Sequence, residues 1–409
     1  MKITKQRRFR GGMARSVALP LASAAVVGGI VWASNTQSDI GKPAALGELV
    51  VIAYNDLGMH CMNQDFSEIC ILPPYNNFRA TVIDRTHGSP EIVTQGVSLQ
   101  YWIPGNTVSH TKTNFWDFDQ ALFGVNLPLD VGLAGFGLSG NMVRVSGAND
   151  FMAGGVPITP ITDLGANDPF QLAHVQVIRN GAVKDTTYNV MPVSWEIRCD
   201  MCHTAHDGLS VAGDILARHD RKHGTDLANH KPVLCAACHA DPALGTPGLP
   251  GVKSMSAAMH GAHAKRPMPM GPKQPAGELC YNCHPGNQTQ CLRDVHYARG
   301  MKCESCHGGM KAVGNPNRTP WVDEPSCGSC HHVPGHEYEQ PGVLFRNSVG
   351  HGGVKCIVCH NSPHAIVATT TDRDNQQSLR VQGHTGTLNT CTVCHSQQPG
   401  DPFPHRRND

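Results

Sequence analysis

The chain has 409 residues, a formal net charge of +1 and only 16% charged residues, with 17 Cys, 24 His, 43 Gly and 29 Pro. That length allows two or three domains. Beyond the N-terminal segment no stretch is long and apolar enough to cross a bilayer as a helix.

In chain order, residues 1–15 carry Lys2, Lys5, Arg7, Arg8, Arg10 and Arg15 and no acid. The 17 residues 16-SVALPLASAAVVGGIVW-32 are uncharged. A basic start, a short apolar run and small residues near Ala33 predict an export signal over residues 1–33, cut after Ala33. A retained anchor is the alternative, because 17 residues is close to the shortest spanning helix. No Cys follows for lipid attachment, and Phe9 directly after Arg7-Arg8 argues against a twin-arginine signal. Residues 34–47 read as a polar linker.

Residues 48–198 predict an all-β, sandwich-like domain. Its strands are expected at 48-ELVVIAY-54, 79-RATVID-84, 96-GVSLQYWI-103, 174-HVQVIRN-180 and 186-TTYNVMPVSWEIR-198, the later ones with partial alternation of apolar and polar residues. Turn signals such as 104-PGN-106, 147-GAND-150 and 179-RNGA-182 separate them. The Gly-rich 132-GLAGFGLSG-140 lacks a phosphate-loop lysine and reads as a loop.

From residue 199 the character changes. Seven stretches share one pattern: 199-CDMCH-203, 235-CAACH-239, 280-CYNCH-284, 303-CESCH-307, 327-CGSCH-331, 356-CIVCH-360 and 391-CTVCH-395. Random order of 17 Cys and 24 His in 409 residues would give about 0.04 such matches. Paired thiols alone are compatible with disulfides or zinc, but neither requires a His directly after the second Cys. Covalent haem requires all three positions: two thioethers to the porphyrin and a proximal iron ligand beneath it. Haem c attachment is therefore assigned to Cys199 and Cys202, Cys235 and Cys238, Cys280 and Cys283, Cys303 and Cys306, Cys327 and Cys330, Cys356 and Cys359, and Cys391 and Cys394. The proximal ligands are His203, His239, His284, His307, His331, His360 and His395. Residues 199–409 offer about 30 residues per haem, so the macrocycles themselves must supply much of the core of a domain of short helices and loops.

Seventeen histidines remain for the opposite faces of seven irons. A second His closes the iron for electron transfer, whereas an open face admits substrate. Spacing favours His296, His351 and His384 ahead of motifs, His364 just after one, and the pair His260 and His263 on one helical face, serving two different haems. His223 is preferred to His219, four residues earlier. The predicted distal set is thus His223, His260, His263, His296, His351, His364 and His384, with His206, His219, His230 and His336 in reserve. His60, His87, His110 and His174 are expected to have surface or core roles, and His332 to point away.

Outside the motifs stand Cys61, Cys70 and Cys291. A Cys61–Cys70 disulfide closing a short loop is expected in an exported domain, with a link from Cys291 to either as the alternative. Loss of residues 1–33 takes the net charge from +1 to −5, and seven haems add 14 propionates. Such a surface argues against nucleic acid and anionic membrane as partners.

The motifs, with lead-ins such as 350-GHGGVKCIVCHNSPH-364, resemble the multihaem c-type cytochromes of exported bacterial respiratory chains. The resemblance covers residues 199–409 and implies closely spaced haems forming a conductive path. The expected function is electron transfer between exported redox partners, periplasmic or at the cell surface, or to an extracellular acceptor, including copies of itself in a filament. The alternative is a multihaem oxidoreductase with one open haem, similar to nitrite reductases or hydroxylamine oxidoreductases. Those families often mark the open site with an altered motif or a tyrosine cross-link, whereas all seven motifs here end in His. A haem sensor or adhesin using the β domain is a third reading.

Overall fold

Strand β1 (Leu49–Tyr54) shows how the fold is divided. All six side chains are buried, and successive residues point to opposite faces. Leu49, Val51 and Ala53 join one core; Val50, Ile52 and Tyr54 join a second, with Ile357, Val358, Val381 and Val393. An uninterrupted apolar run is what burial on both faces demands. The computed structural model describes residues 44–266, 279–286 and 288–405. The predicted export signal and residues 34–43 of the linker lie outside the described residues.

The first core lies between two five-stranded sheets. One has the order β1–β4–β9–β8, formed with β4 (Asn76–Asp84), β8 (Val143–Arg144) and β9 (Phe151–Val156), and β5 (Glu91–Ile92) adds to β4. The other has the order β2–β11–β10–β6–β7, from β2 (His60–Cys61), β6 (Ser98–Trp102), β7 (Ser139–Asn141), β10 (Phe170–Arg179) and β11 (Ala182–Ser194). The β10–β11 hairpin turns on Asn180 and Gly181, both at positive φ (54° and 74°), which is the backbone that a tight hairpin needs and that Asn-Gly supplies. Helix α1 (Phe115–Phe123), with no predicted counterpart, packs on this core through Phe115, Trp116 and Leu122.

Beyond residue 198 the elements are short: α2 (Val211–His223), α3 (Met255–His263), α4 (Val295–Ala298), α5 (Cys303–His307), α6 (Met310–Val313), α7 (Cys356–His360) and α8 (Asp372–Gln382). They are fastened to the sheets by buried polar contacts. The side chain of Gln377 both accepts from the Ala53 N–H and donates to the Ala53 C=O, at 2.8 Å each, and so occupies the open edge of β1. Asp150, 1% exposed, receives Tyr54 at 2.7 Å, Arg79 at 2.9 Å and Lys355 at 2.7 Å. Lys355 immediately precedes the sixth motif. Arg85 donates to the Thr392 carbonyl inside the seventh (2.6 Å), and the Glu196 carboxylate accepts from the Gln288 and Thr289 amides just after the third.

Candidate functional site

Each CxxCH stretch folds as one helical turn. In five of them the His amide donates to the carbonyl of the first Cys at 2.9–3.1 Å, and the other two are α5 and α7. Residues i, i+3 and i+4 of such a turn share a face, so both thiols and the imidazole look the same way.

Opposite every motif histidine stands one further histidine. Ring centroids are 6.5 Å apart for His203 and His263, 6.4 Å for His239 and His219, and 5.9 Å for His284 and His260. They are 6.0 Å apart for His307 and His364, 6.2 Å for His331 and His296, 6.0 Å for His360 and His405, and 5.9 Å for His395 and His351. Two imidazoles on one axial metal, each nitrogen about 2 Å from the ion and about 1.1 Å from its own centroid, give roughly 6.2 Å. Ordinary aromatic pairs also fall at such distances. What they do not explain is that seven motif histidines take seven different partners. Among the described residues no three His, Cys, Asp or Glu side chains are placed to hold a metal ion together.

Six of the fourteen rings are held in a state that can bind a metal. His239 Nδ1 meets the Lys253 carbonyl at 2.8 Å, His260 Nδ1 that of Ser256 at 2.8 Å, and His263 Nδ1 that of Met259 at 2.7 Å. A carbonyl there fixes the proton on Nδ1 and leaves the Nε2 lone pair for a metal. Burial pushes His284, His360 and His364 down to about 4, which keeps them neutral.

Five predicted distal residues, His260, His263, His296, His351 and His364, stand opposite motif histidines; His223 and His384 do not. His223 is the exposed last residue of α2, and it is His219, one turn earlier, that reaches His239. His384 is exposed and spends both nitrogens locally, on the Thr385 carbonyl (2.9 Å) and the Thr390 hydroxyl (3.2 Å). The place opposite His360 belongs to His405, whose Nδ1 lies 3.1 Å from the Glu337 carbonyl. No spacing signal pointed to His405, because its partners are brought to it only by the tertiary fold. In reserve, His206 lies beside Asp214, and His230 is exposed beside Asp226. His336 packs on Phe403 and His405. In the sheets, buried His60 binds the Pro73 carbonyl at 2.8 Å, His110 pairs with Asp130 at 2.8 Å, and His174 sits between Trp102 and Tyr188.

Each motif has a group of another motif as an electrostatic neighbour. Burial pushes Cys235 up to about 12 and Cys199 up to about 11, and each also feels a thiol of another motif: Cys199 for Cys235, Cys283 for Cys199. The same neighbour effects link His284 to His307, Cys306 to Cys330, Cys327 to Cys356, and Cys359 to Cys394. These neighbours connect the second motif to the first, the first to the third, and the third through the seventh in turn. From the third motif to the seventh the sites open on one continuous cavity of about 1920 Å³, walled by residues such as Leu57, Tyr281, Ile366 and Leu388. Apolar walls, thiols in pairs and axial histidines on two sides are the donor set and surface that haem c requires, so the residues fit the group.

Cys61 and Cys70 do not pair. Both thiols are free, and they diverge: Cys61 is a neighbour of Cys291, and Cys70 of Cys235. The reason is the chain path, since β2 pairs with β11 while β3 (Ile69–Cys70) pairs with β12 (Val233–Leu234). No protein-family model, no curated protein and no solved structure matches this chain.

Proposed function

We propose that the protein is a seven-haem c-type cytochrome that carries electrons along a file of bis-histidine sites, without bond chemistry of its own. The observation that carries this reading is that each of the seven motif histidines faces a second histidine at 5.9–6.5 Å, so the chain supplies two axial ligands for every site. Bound haem supplies a one-electron iron couple. The chain's residues would do the rest: the paired cysteines would hold each macrocycle, and the two histidines of each site would hold its iron and leave no ligand place for substrate. The same observation favours this reading over a reductase with one open haem. The sheets supply a rigid base, through Lys355, Arg85, Glu196 and Gln377, that keeps neighbouring sites in register. The partners proposed are other exported redox proteins or an extracellular acceptor. Haem quantification of the purified protein tests the proposal. Seven covalent haems per chain are expected, and a protein purified with zinc or disulfides at the motifs would refute it.

A further inference from the structure

The seven sites differ in what accepts the Nδ1 proton of their axial histidines, and one stands apart. Asp214, 1% exposed in the first turn of α2, places Oδ2 3.0 Å from His203 Nδ1. Its position is set by the Ser210 N-cap, and Arg218 holds the same oxygen at 2.7 Å. The acceptors for His239, His260 and His263 are neutral carbonyls. Among the described residues one other carboxylate, Asp294, approaches an axial ring, that of His296, but at 3.4 Å and while already accepting from the His296 and Tyr297 amides. At the far end of the file, His351 Nδ1 is buried without an acceptor.

We propose that Asp214 makes the site between His203 and His263 the most reducing of the seven. The inference rests on the haem reading above. A carboxylate drawing on the Nδ1 proton raises the electron density that the ring donates to iron, and so favours the ferric state. A neutral carbonyl does less, and an Nδ1 with no acceptor least. Arg218 opposes the effect only in part, because its side chain is half exposed and water screens it. Asp214 acts through His203 and is a positioning residue. With haem bound, a transfer would move one electron between neighbouring sites with no proton or leaving group, and electrons would leave the Asp214 site for its neighbours.

The test is optically monitored potentiometry of the holoprotein and two variants. Asp214→Asn, which keeps an acceptor but removes the charge, should raise the lowest-potential component and leave the others in place. Arg218→Ala, at a half-exposed side chain, should move that same component lower, and it decides the matter if Asp214→Asn fails to fold. With seven haems still bound, a lowest component that stays put, or a shift in any other, overturns the inference. A wild-type protein lacking seven low-spin haems would instead overturn the haem reading on which it rests.

Discussion

The sheets and the motif region solve the burial problem in opposite ways. Between the sheets the first core consists of side chains alone, Phe66, Phe78, Phe115 and Val175 among them, and its fully buried members all come before residue 194. Past residue 198 the second core is small and borrows Val50, Ile52 and Tyr54 from β1. There the chain surrounds a cavity of about 1920 Å³ rather than filling it. Protein interiors pack to about 0.75 of their volume, so on the haem proposal this region would depend on its covalently held groups for stability. One half carries its own core; the other, on the proposal above, is a frame for cofactors.

The sharpest way to break this contrast is to withhold haem. Protein made without haem attachment should lose protease resistance after about residue 198, while fragments carrying the two sheets persist, as limited proteolysis with mass spectrometry would show. Equal survival of both halves would remove the asymmetry. A smaller test uses β1, whose faces serve different cores. Ile52→Ala should cost about 2–5 kcal/mol by denaturant unfolding and disturb the absorbance of haems near α7, whereas Val51→Ala should cost stability without touching the spectrum.

The sheets also have their own pH response. Burial holds His60 down at about 4, below its unfolded value of about 6.5. The unfolded chain therefore binds a proton first as pH falls. Stability should be full above 6.5 and decline to pH 4 by on the order of 3 kcal/mol, and His60→Gln should flatten that decline. The smallest effect is a count. Alkylation of the denatured holoprotein should label three cysteines, Cys61, Cys70 and Cys291, whereas a Cys61–Cys70 disulfide would leave one.

What could be read from the sequence tracks locality. The five predicted strands coincide with β1, β4, β6, β10 and β11 because apolar runs and Asn180-Gly181 act over a few residues. The geometry of CxxCH is local in the same way, one helical turn. The choice of His219 over His223 turns on how α2 is rotated against the second motif, which no spacing records. His405 is set by a tail that returns to Glu337 and His360 from across the chain. The Cys61–Cys70 expectation failed for the same reason: nearness in sequence was taken for nearness in space, and β2 and β3 run to different partners.

The most direct measurement is low-temperature EPR of the oxidised protein, with haem quantified on the same sample. Seven low-spin haems are expected, with His405→Ala and His219→Ala each converting one to high spin, and His384→Ala and His223→Ala converting none. A wild-type high-spin signal integrating to one haem would contradict a closed conduit, and conversion by His384→Ala would contradict the pairing of His360 and His395 with His405 and His351.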